Sequence, residues 1–313
     1  MAGYLLRRLI WAVATVILTA FFAYGIIRLL RPDRYPAGAD VISGTWHDVR
    51  HALFGFTLGA DYVHEEFVRG FAADLYLLAG GLVVAVGFGI AGGIYCAARE
   101  RTASARAVEG AAVFFLCTPV YALALGTLLL CAPPFGLIEL PYFFDPNSYE
   151  PPLESPWDFL RSMLIPWLVV GAPLAGVIVR LTLALTRDTM GEHWVRTARA
   201  KGLPHKQVVR RHAAPASFVT VFSQFGAAAP VMVMNVVLVE WVFSIPGFFR
   251  HMRRALGQNY GAPEQYIDIP MLQGLAMWAA VLIVAVSLLA DLAIVRLDPR
   301  IRSGGGLAYP VSP

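Results

Sequence analysis

Six apolar runs, separated by polar segments, organise this chain. They cover residues 9–30 and about 71–98, 107–131, 163–186, 218–243 and 271–295. About 20 apolar residues in a helix cross the hydrocarbon core of a bilayer, so each run is long enough to span a membrane. The pattern predicts an all-α, polytopic membrane protein with six transmembrane helices. Six spans also place both termini on the same side.

The composition supports this class. Hydrophobic residues make up 58% of the chain, charged residues only 15%, and the mean hydropathy is +0.61. These values exclude an average soluble globular domain. The three cysteines, Cys96, Cys117 and Cys131, lack the spacing of a zinc site or a disulfide framework, so we interpret them as small core residues. His47 and His51 form the one i,i+4 histidine pair, and without clustered carboxylates they do not indicate a metal site.

The runs also suggest a division of the chain. Arg7 and Arg8 precede the first run as in a secretory signal, but the run is too long for one, so residues 1–30 are predicted to be an uncleaved transmembrane helix. Residues 31–70 are polar and rich in acidic side chains, which predicts an extracytoplasmic loop with short helices. Residues 71–302 form the remaining five spans, and residues 303–313 form a Gly/Pro-rich tail.

Basic residues are distributed unevenly between the two sides. With the first span starting in the cytosol, fifteen Lys and Arg residues lie on the cytosolic side and eight on the other. Short cytosolic loops of membrane proteins carry an excess of these residues. The distribution therefore predicts cytosolic termini, with Arg250, Arg253 and Arg254 as a local exception.

The segment 187–215, which we call the elbow, is the longest basic segment between two apolar runs. Good helix formers predict a helix over 190–201, in which Glu192 precedes Arg196 by four residues, the favourable order for an ion pair. Gly202 predicts a left-handed stop, Pro204 the first residue of a second helix, and Pro215 the end of that helix. An ordinary basic loop and a DNA-binding helix-turn-helix are the alternatives, and the flanking spans leave no room for a duplex.

The elbow resembles the cytoplasmic signature of membrane subunits of ABC importers. That signature reads Glu-Ala-Ala, three residues, Gly, nine residues, then Ile-x-Leu-Pro. Gly202 and Pro215 stand at its full spacing and Ala198 at its second Ala, whereas Arg196 and Thr197 replace Glu and Ala. These replacements are similar to the peptide-permease branch. In the distal half, His212 and Ala214 replace Ile and Leu.

The resemblance implies a role and partners for the elbow. Small residues would form a surface for a cytosolic ATPase, with cationic side chains at its rim; the implied coupling residues are Glu192, Arg196, Thr197, Ala198, Arg199, Ala200, Lys201, Gly202, Leu203, Pro204 and Pro215. The implied partners are a homologous second permease, two ATPases and an extracytoplasmic solute-binding protein. The chain has no Walker A motif, so ATP and Mg²⁺ would bind the partner subunits. We expect no cofactor, metal, nucleic acid or enzymatic activity in this chain.

The residues Phe-Ser-Ile-Pro-Gly at 243–247 also resemble the peptide-permease branch and suggest an ordered segment at the outer mouth of the pathway. Glu240, which precedes them, is interpreted as an anchor for an outer gate and not as a proton carrier. The expected pathway or gate residues are Gln224, Asn235, Glu240, Ser244, Pro246 and Gly247. For Gln224 and Asn235, hydrogen bonding between helices is an equally good interpretation.

Other charged residues fall near the ends of the predicted spans. Asp74 stands where the branch has Thr, a departure that could alter the outer vestibule. Arg180 and Asp291 lie towards the cytosolic ends, where side chains can reach the interface or pair.

The function predicted is an ABC-importer permease for dipeptides or oligopeptides in the cytoplasmic membrane. Alternative solutes are a nickel chelate, glutathione or a sugar. A stand-alone secondary transporter would be favoured by an intramembrane acidic pair or half-helix repeats, and the sequence shows neither. A membrane-embedded enzyme would need a catalytic constellation, which we do not find. The GxGxxG match over 87–92 lies inside a span, where glycines let helices approach closely.

Overall fold

The computed structural model describes residues 2–30, 40–54, 61–131, 149–257 and 267–297. Helices account for nearly all of these residues, as predicted. The α-helices are α1 (Ala2–Leu30), α2 (Val41–Phe54), α3 (Asp61–Ala98), α4 (Ala103–Cys117), α5 (Val120–Cys131), α6 (Pro156–Thr189), α7 (His193–Ala200), α8 (His205–Val208), α9 (Ala214–Val242), α10 (Met252–Ala255) and α11 (Ile269–Leu297).

Within the described residues, five helical stretches are long and apolar enough to cross a membrane. They are Leu6–Leu29, Asp61–Ala98, Pro156–Thr189, His205–Val242 and Ile269–Leu297. A sixth span is present if the bent pair α4 and α5 counts as one. The prediction of an all-α polytopic membrane protein is therefore confirmed.

The predicted span at 107–131 is not one continuous helix, because α4 and α5 meet at an angle of 109°. Thr118, between them, has extended φ and ψ of −87° and 125° and donates from Oγ1 to the carbonyl oxygen of Phe114 at 2.6 Å. Pro119 follows, and a proline both disfavours helical geometry in the preceding residue and lacks an amide donor. These two residues explain the bend.

Helix α6 is the centre of the bundle, since α3, α4 and α9 all pack against it and α11 packs against α9. Glycines on α3 allow close contact with α6: a Cβ at Gly89 would lie 2.6 Å from Ile178, and one at Gly93 would lie 2.5 Å from Thr182. Within the GxGxxG match, a Cβ at Gly92 would also lie 2.9 Å from Val179, so the prediction of close helix packing is confirmed for Gly89 and Gly92; a Cβ at Gly87 would meet no described atom within 4 Å. Pro166 and Pro173 both lie inside the continuous helix α6.

Two ion pairs join the N-terminal helix to the rest of the bundle. Arg28 on α1 contacts Asp48 on α2 at 2.9 Å, and Arg8 contacts Asp291 on α11 at 3.1 Å. The second contact confirms that Asp291 pairs, whereas Arg180 is exposed on α6. Helix α2 confirms a short helix within 31–70, and α3 begins at Asp61, ten residues before the predicted apolar run. The tail 303–313 lies outside the described residues.

The interpretation of all three cysteines as core residues is wrong for one of them. Cys96 is buried, Cys131 is partly buried, and Cys117 is exposed at the end of α4. Helix α4 is covered mainly by α6, so side chains on its other face remain open.

Candidate functional site

The elbow contains two helical arms joined by a tight turn, as predicted. Helix α7 ends at Ala200, and Gly202 has a φ of +78°, which confirms the left-handed stop. Positive φ is readily adopted only by glycine. Pro204 has φ and ψ of −64° and 146° and caps α8 instead of being its first residue. Helix α7 begins at His193, not at residue 190, because Met190 caps α6.

The predicted ion pair between Glu192 and Arg196 does not form. Glu192 is the N-cap of α7, with extended φ and ψ of −67° and 147°, and its carbonyl oxygen accepts the amide of Arg196 at 3.1 Å. An i,i+4 side-chain pair requires both residues within the helix. Glu192 lies outside it, so its side chain does not point along the helix towards Arg196.

The prediction that Pro215 ends the second arm is also wrong. The helix continues from α8 through a π-helical turn, Val209–Ala213, directly into α9. In this turn the amide of Ala214 bonds to the carbonyl oxygen of Val209, five residues back. A proline lacks an amide and would clash with the carbonyl four residues earlier in an α-helix. The wider turn accommodates Pro215 near the start of α9.

One face of helix α7 is buried, and the opposite face is exposed. Val195 and Ala198 are buried, which is the i,i+3 spacing of one helix face. Ala198 therefore does not belong to the free surface that we predicted for it. Leu203 is partly buried. The exposed members of the predicted coupling set are Glu192, Arg196, Thr197, Arg199, Ala200, Lys201, Gly202, Pro204 and Pro215.

Two sets of contacts hold the elbow against the helical bundle. Val209 packs with Cys96 of α3, Ala105 of α4 and Leu183 of α6. Arg187, at the end of α6, contacts Glu100 at 3.1 Å and Glu109 at 3.5 Å. By contrast, the rim cations Arg196, Arg199 and Lys201 form no ion pair within the described part of the chain.

At the other end of α9, a buried carboxyl holds the segment 243–249, which we call the anchored turn. Asp74 on α3 accepts a hydrogen bond from the amide of Phe248 at 3.0 Å and another from Nε1 of Trp278 on α11 at 2.7 Å. The side chain of Asp74 is fully buried. One carboxyl thus connects α3, α11 and the anchored turn.

A second buried carboxyl belongs to Glu240, the predicted anchor. Its Oε1 accepts a hydrogen bond from the amide of Arg250. Gly247 lies between the two acids: a Cβ there would overlap with Asp74 and would lie 2.7 Å from Oε1 of Glu240. Our expectation of no intramembrane acidic pair is therefore wrong. Both carboxyls accept bonds from the chain's own backbone, which is the arrangement of an anchor.

The remaining predicted gate residues occupy different environments. Ser244 is exposed and has a φ of +54°, which is uncommon for a residue other than glycine, and Pro246 is partly buried. Asn235 is buried in the bundle, whereas Gln224 is exposed on α9. The structure brings Glu240, Ser244, Pro246 and Gly247 together, and a pathway or gate role stays a prediction for all six residues.

Two further contacts join the start of α3 to the segments that follow the anchored turn, and no sequence pattern indicated them. Nε2 of His251 lies 3.4 Å from Oε2 of Glu66, and the hydroxyl of Tyr62 donates to Oδ1 of Asp268 at 2.5 Å. Burial lowers the pKa of His251, and the neighbouring Arg250 and Arg254 act in the same direction. Asp74 was noted as an unusual residue, but nothing in its position indicated Trp278 or Phe248 as partners.

The chain is similar to several bacterial proteins that are named as transport permeases. The chain is similar to a putative peptide transport system permease protein of Brucella abortus (strain 2308), with 25% identity over 331 residues that cover 96% of this chain and 99% of the relative. It is 28% identical over 275 residues to the dipeptide transport system permease protein of Escherichia coli (strain K12), covering 81% and 78% of the two chains. It is 26% identical over 326 residues to a glutathione transport system permease protein of Salmonella choleraesuis (strain SC-B67), covering 96% and 99%.

A family model matches more than half of the chain. It covers residues 89–303 and so includes the elbow, α9, the anchored turn and α11. The chain therefore belongs to the family described as binding-protein-dependent transport system inner membrane component.

Proposed function

We propose that this chain is a permease subunit of an ABC importer for dipeptides or oligopeptides. The observation that carries the proposal is a basic, exposed elbow in a chain whose full-length relatives are named as peptide permeases. A peptide substrate also fits the relative named for glutathione, which is itself a short peptide.

The elbow is the proposed contact with the ATPases. Its open face combines small residues, Ala200 and Gly202, with the cations Arg196, Arg199 and Lys201 at the rim. Val195 of α7 is buried and α7 packs on the second arm, while Val209 of that arm packs on α3, α4 and α6, so the bundle supports the elbow through its second arm. A support of this kind allows a force on the elbow to reach α6 and α9, which it joins directly.

The proposed complex also contains a homologous second permease and an extracytoplasmic solute-binding protein. The second permease would supply the other half of the translocation pathway. A groove of about 530 Å³ between α3, α4, α5 and α6, lined by side chains such as Phe88, Phe115 and Leu168, supports this, since one chain leaves it open.

The composition of the complex is tested by mild affinity purification of this chain from its native membrane. We expect a homologous permease and ATPase subunits to be recovered with it. Recovery as a lone oligomer that transports without ATPases would refute the importer assignment.

The substrate class is tested on the binding protein recovered with the complex. Ligands that bind only the folded state raise its unfolding temperature, by an amount that grows with concentration over Kd. We expect di- or oligopeptides to do so in a panel that also contains glutathione, a nickel chelate and a sugar. Stabilisation by the chelate or the sugar alone would overturn the peptide assignment and leave the importer assignment intact.

The proposed orientation has cytosolic termini and a cytosolic elbow. In a chain whose three native cysteines are replaced by serine, a cysteine at His205 should react with an impermeant thiol reagent only from the cytosol. A cysteine at Ser43 should react only from outside. Reversed labelling would contradict both the orientation and the ATPase contact.

A further inference from the structure

A polar cavity lies along the second arm of the elbow, and the proposed ATPase contact does not account for it. Its volume is about 800 Å³, and it lies between the end of α3 and the second arm of the elbow. The lining residues are Ala98, Pro204, His205, Lys206, Gln207, Arg210 and Arg211. Three of these carry Lys or Arg side chains, and none is acidic.

The cations converge because of the helical repeat. Lys206 and Arg210 are four residues apart, as are Gln207 and Arg211, so the four side chains cover one face of the helix that runs from α8 into the π-helical turn. On the opposite face Val208 and Val209 are buried. Burial of the valines holds the basic face towards the cavity.

Among the residues that the structure describes, no acidic side chain neutralises this face. Within the described ranges, Lys206, Arg210 and Arg211 form no ion pair with a carboxylate. The nearby acids Glu100 and Glu109 are already paired with Arg187. The cavity therefore has a concentrated positive charge that an external anion would complement.

The position of the cavity relative to the bilayer indicates the source of that anion. The apolar run of α3 ends at Ala98 and is followed by Arg99, Glu100 and Arg101, so Ala98 marks the end of the hydrocarbon region. A cavity lined by Ala98 lies at the depth of the phospholipid headgroups. Basic pockets between helices at this depth bind anionic headgroups.

We propose that this cavity binds the headgroup of an anionic phospholipid, with Lys206, Arg210 and Arg211 contacting the phosphate. The bound lipid would connect the end of α3 to the start of α9, on the membrane side of the elbow. This site goes beyond the proposed ATPase contact, with which it shares only Pro204.

The test measures lipid binding to the purified full-length chain in detergent by native mass spectrometry. The probes are phosphatidylglycerol and phosphatidylcholine with identical acyl chains. We expect the wild-type chain to bind phosphatidylglycerol preferentially. Each basic residue near an anionic lipid contributes about fivefold in affinity, so Arg210→Gln with Arg211→Gln should weaken phosphatidylglycerol binding roughly thirtyfold. Lys206→Gln alone should weaken it about fivefold.

A matched control removes the same charge elsewhere on the same side of the membrane. Arg106→Gln combined with Arg296→Gln changes two exposed arginines that do not line the cavity. Phosphatidylglycerol binding should be unchanged in this variant. An equal loss in both double variants would show that only overall charge matters and would overturn the site.

Other outcomes also decide the proposal. Equal binding of the two lipids by the wild-type chain would overturn it without any variant. Displacement of phosphatidylglycerol by millimolar inorganic phosphate would assign the cavity to a free anion instead. If the Arg210→Gln, Arg211→Gln variant keeps the lipid but loses the ATPase subunits on purification, the cavity is a protein contact and the lipid proposal fails.

Discussion

The elbow and the anchored turn lie at opposite ends of α9 and differ in how their polar groups are satisfied. Asp74 on α3 and Glu240 on α9, whose carboxyls hold the anchored turn, are fully buried. Asp74 accepts hydrogen bonds from the amide of Phe248 and from Trp278, and Oε1 of Glu240 accepts one from the amide of Arg250, whereas Oε2 of Glu240 has no hydrogen-bond partner among the described residues. In the elbow, the cations Arg196, Arg199 and Lys201 are exposed and have no acidic partner among the described residues.

This difference separates internal stability from binding. A buried polar group costs free energy unless it is hydrogen-bonded, so the hydrogen bonds of Asp74 and of Oε1 of Glu240 contribute to the stability of the chain. An exposed cation is solvated and can exchange water for a partner at little cost. We therefore expect changes in the anchored turn to alter the stability of the chain and changes on the open face of the elbow to alter its assembly.

The largest effect is expected for Asp74→Leu. This substitution leaves the amide of Phe248 and Nε1 of Trp278 buried without an acceptor, and each unsatisfied donor costs about 1–3 kcal/mol, roughly 2–6 kcal/mol in total. The unfolding temperature of the purified chain in detergent should fall sharply. Asp74→Asn, which keeps one acceptor oxygen, should lose clearly less. Equal losses in the two variants would mean that the hydrogen bonds are not what matters.

A smaller loss of stability is expected for Ala198→Asp. Because Ala198 is buried, the new carboxyl would be desolvated inside the elbow, at a cost of roughly several kcal/mol before the short helix α7 relaxes. Both the unfolding temperature and the recovery of ATPase subunits should fall. Ala200→Asp, on the exposed face, is the matched control and should leave the unfolding temperature unchanged. A normal unfolding temperature in Ala198→Asp would contradict the buried orientation.

Gly202→Asp should affect assembly much more than stability. The positive φ of Gly202 costs another residue about 1 kcal/mol, and a Cβ at this position would meet no atom of the described residues within 4 Å. The new carboxylate would, however, lie within the proposed ATPase contact. We expect solute uptake and ATPase recovery to be lost while the chain still inserts in the membrane.

Two variants separate charge from strain at this turn. Gly202→Asn tolerates positive φ and adds no charge, so it should retain more ATPase than Gly202→Asp. Arg199→Ala removes an exposed rim charge and should change assembly by only about 0–1 kcal/mol. Normal uptake in Gly202→Asp would mean that the elbow is only a loop.

The smallest effect is the contribution of His251, just after the anchored turn, to the pH dependence of the chain's stability. Burial holds the pKa of His251 below its unfolded value, and Arg250 and Arg254 lower it further, whereas Glu66 and Asp268 raise it. The unfolded chain therefore binds a proton at a higher pH than the folded chain does. The contribution of neutral His251 to stability is present above its unfolded pKa of about 6.5 and is lost as the pH falls through the folded pKa.

The measurement is the unfolding temperature at pH 7.5 and 5.5. The wild-type chain should lose stability at the lower pH, and His251→Gln should lose less over the same interval. A His47→Gln variant, on α2, serves as the control for a general histidine effect. An unchanged pH dependence in His251→Gln would show that other groups dominate.

The sequence by itself determined the features that depend on local pattern. Apolar length determines the spans, because a helix must cover about 30 Å of hydrocarbon with satisfied backbone groups. The left-handed turn at Gly202 was predictable because that backbone conformation favours glycine. The bend between α4 and α5 also depends on local sequence, at Thr118 and Pro119, although the apolar run 107–131 predicted one continuous helix.

Only the tertiary structure decided which distant residues meet. Asp74 and Glu240 are on separate helices, and nothing local to either indicates that both flank Gly247. The direction of Ala198 depends on how α7 lies against the second arm, since helical spacing fixes which residues share a face but not what that face contacts. From the sequence alone, Pro215 likewise predicts the end of a helix, yet the π-helical turn before it lets the helix continue. Side-chain pairing and helix orientation arise from packing between segments, which local sequence patterns do not specify.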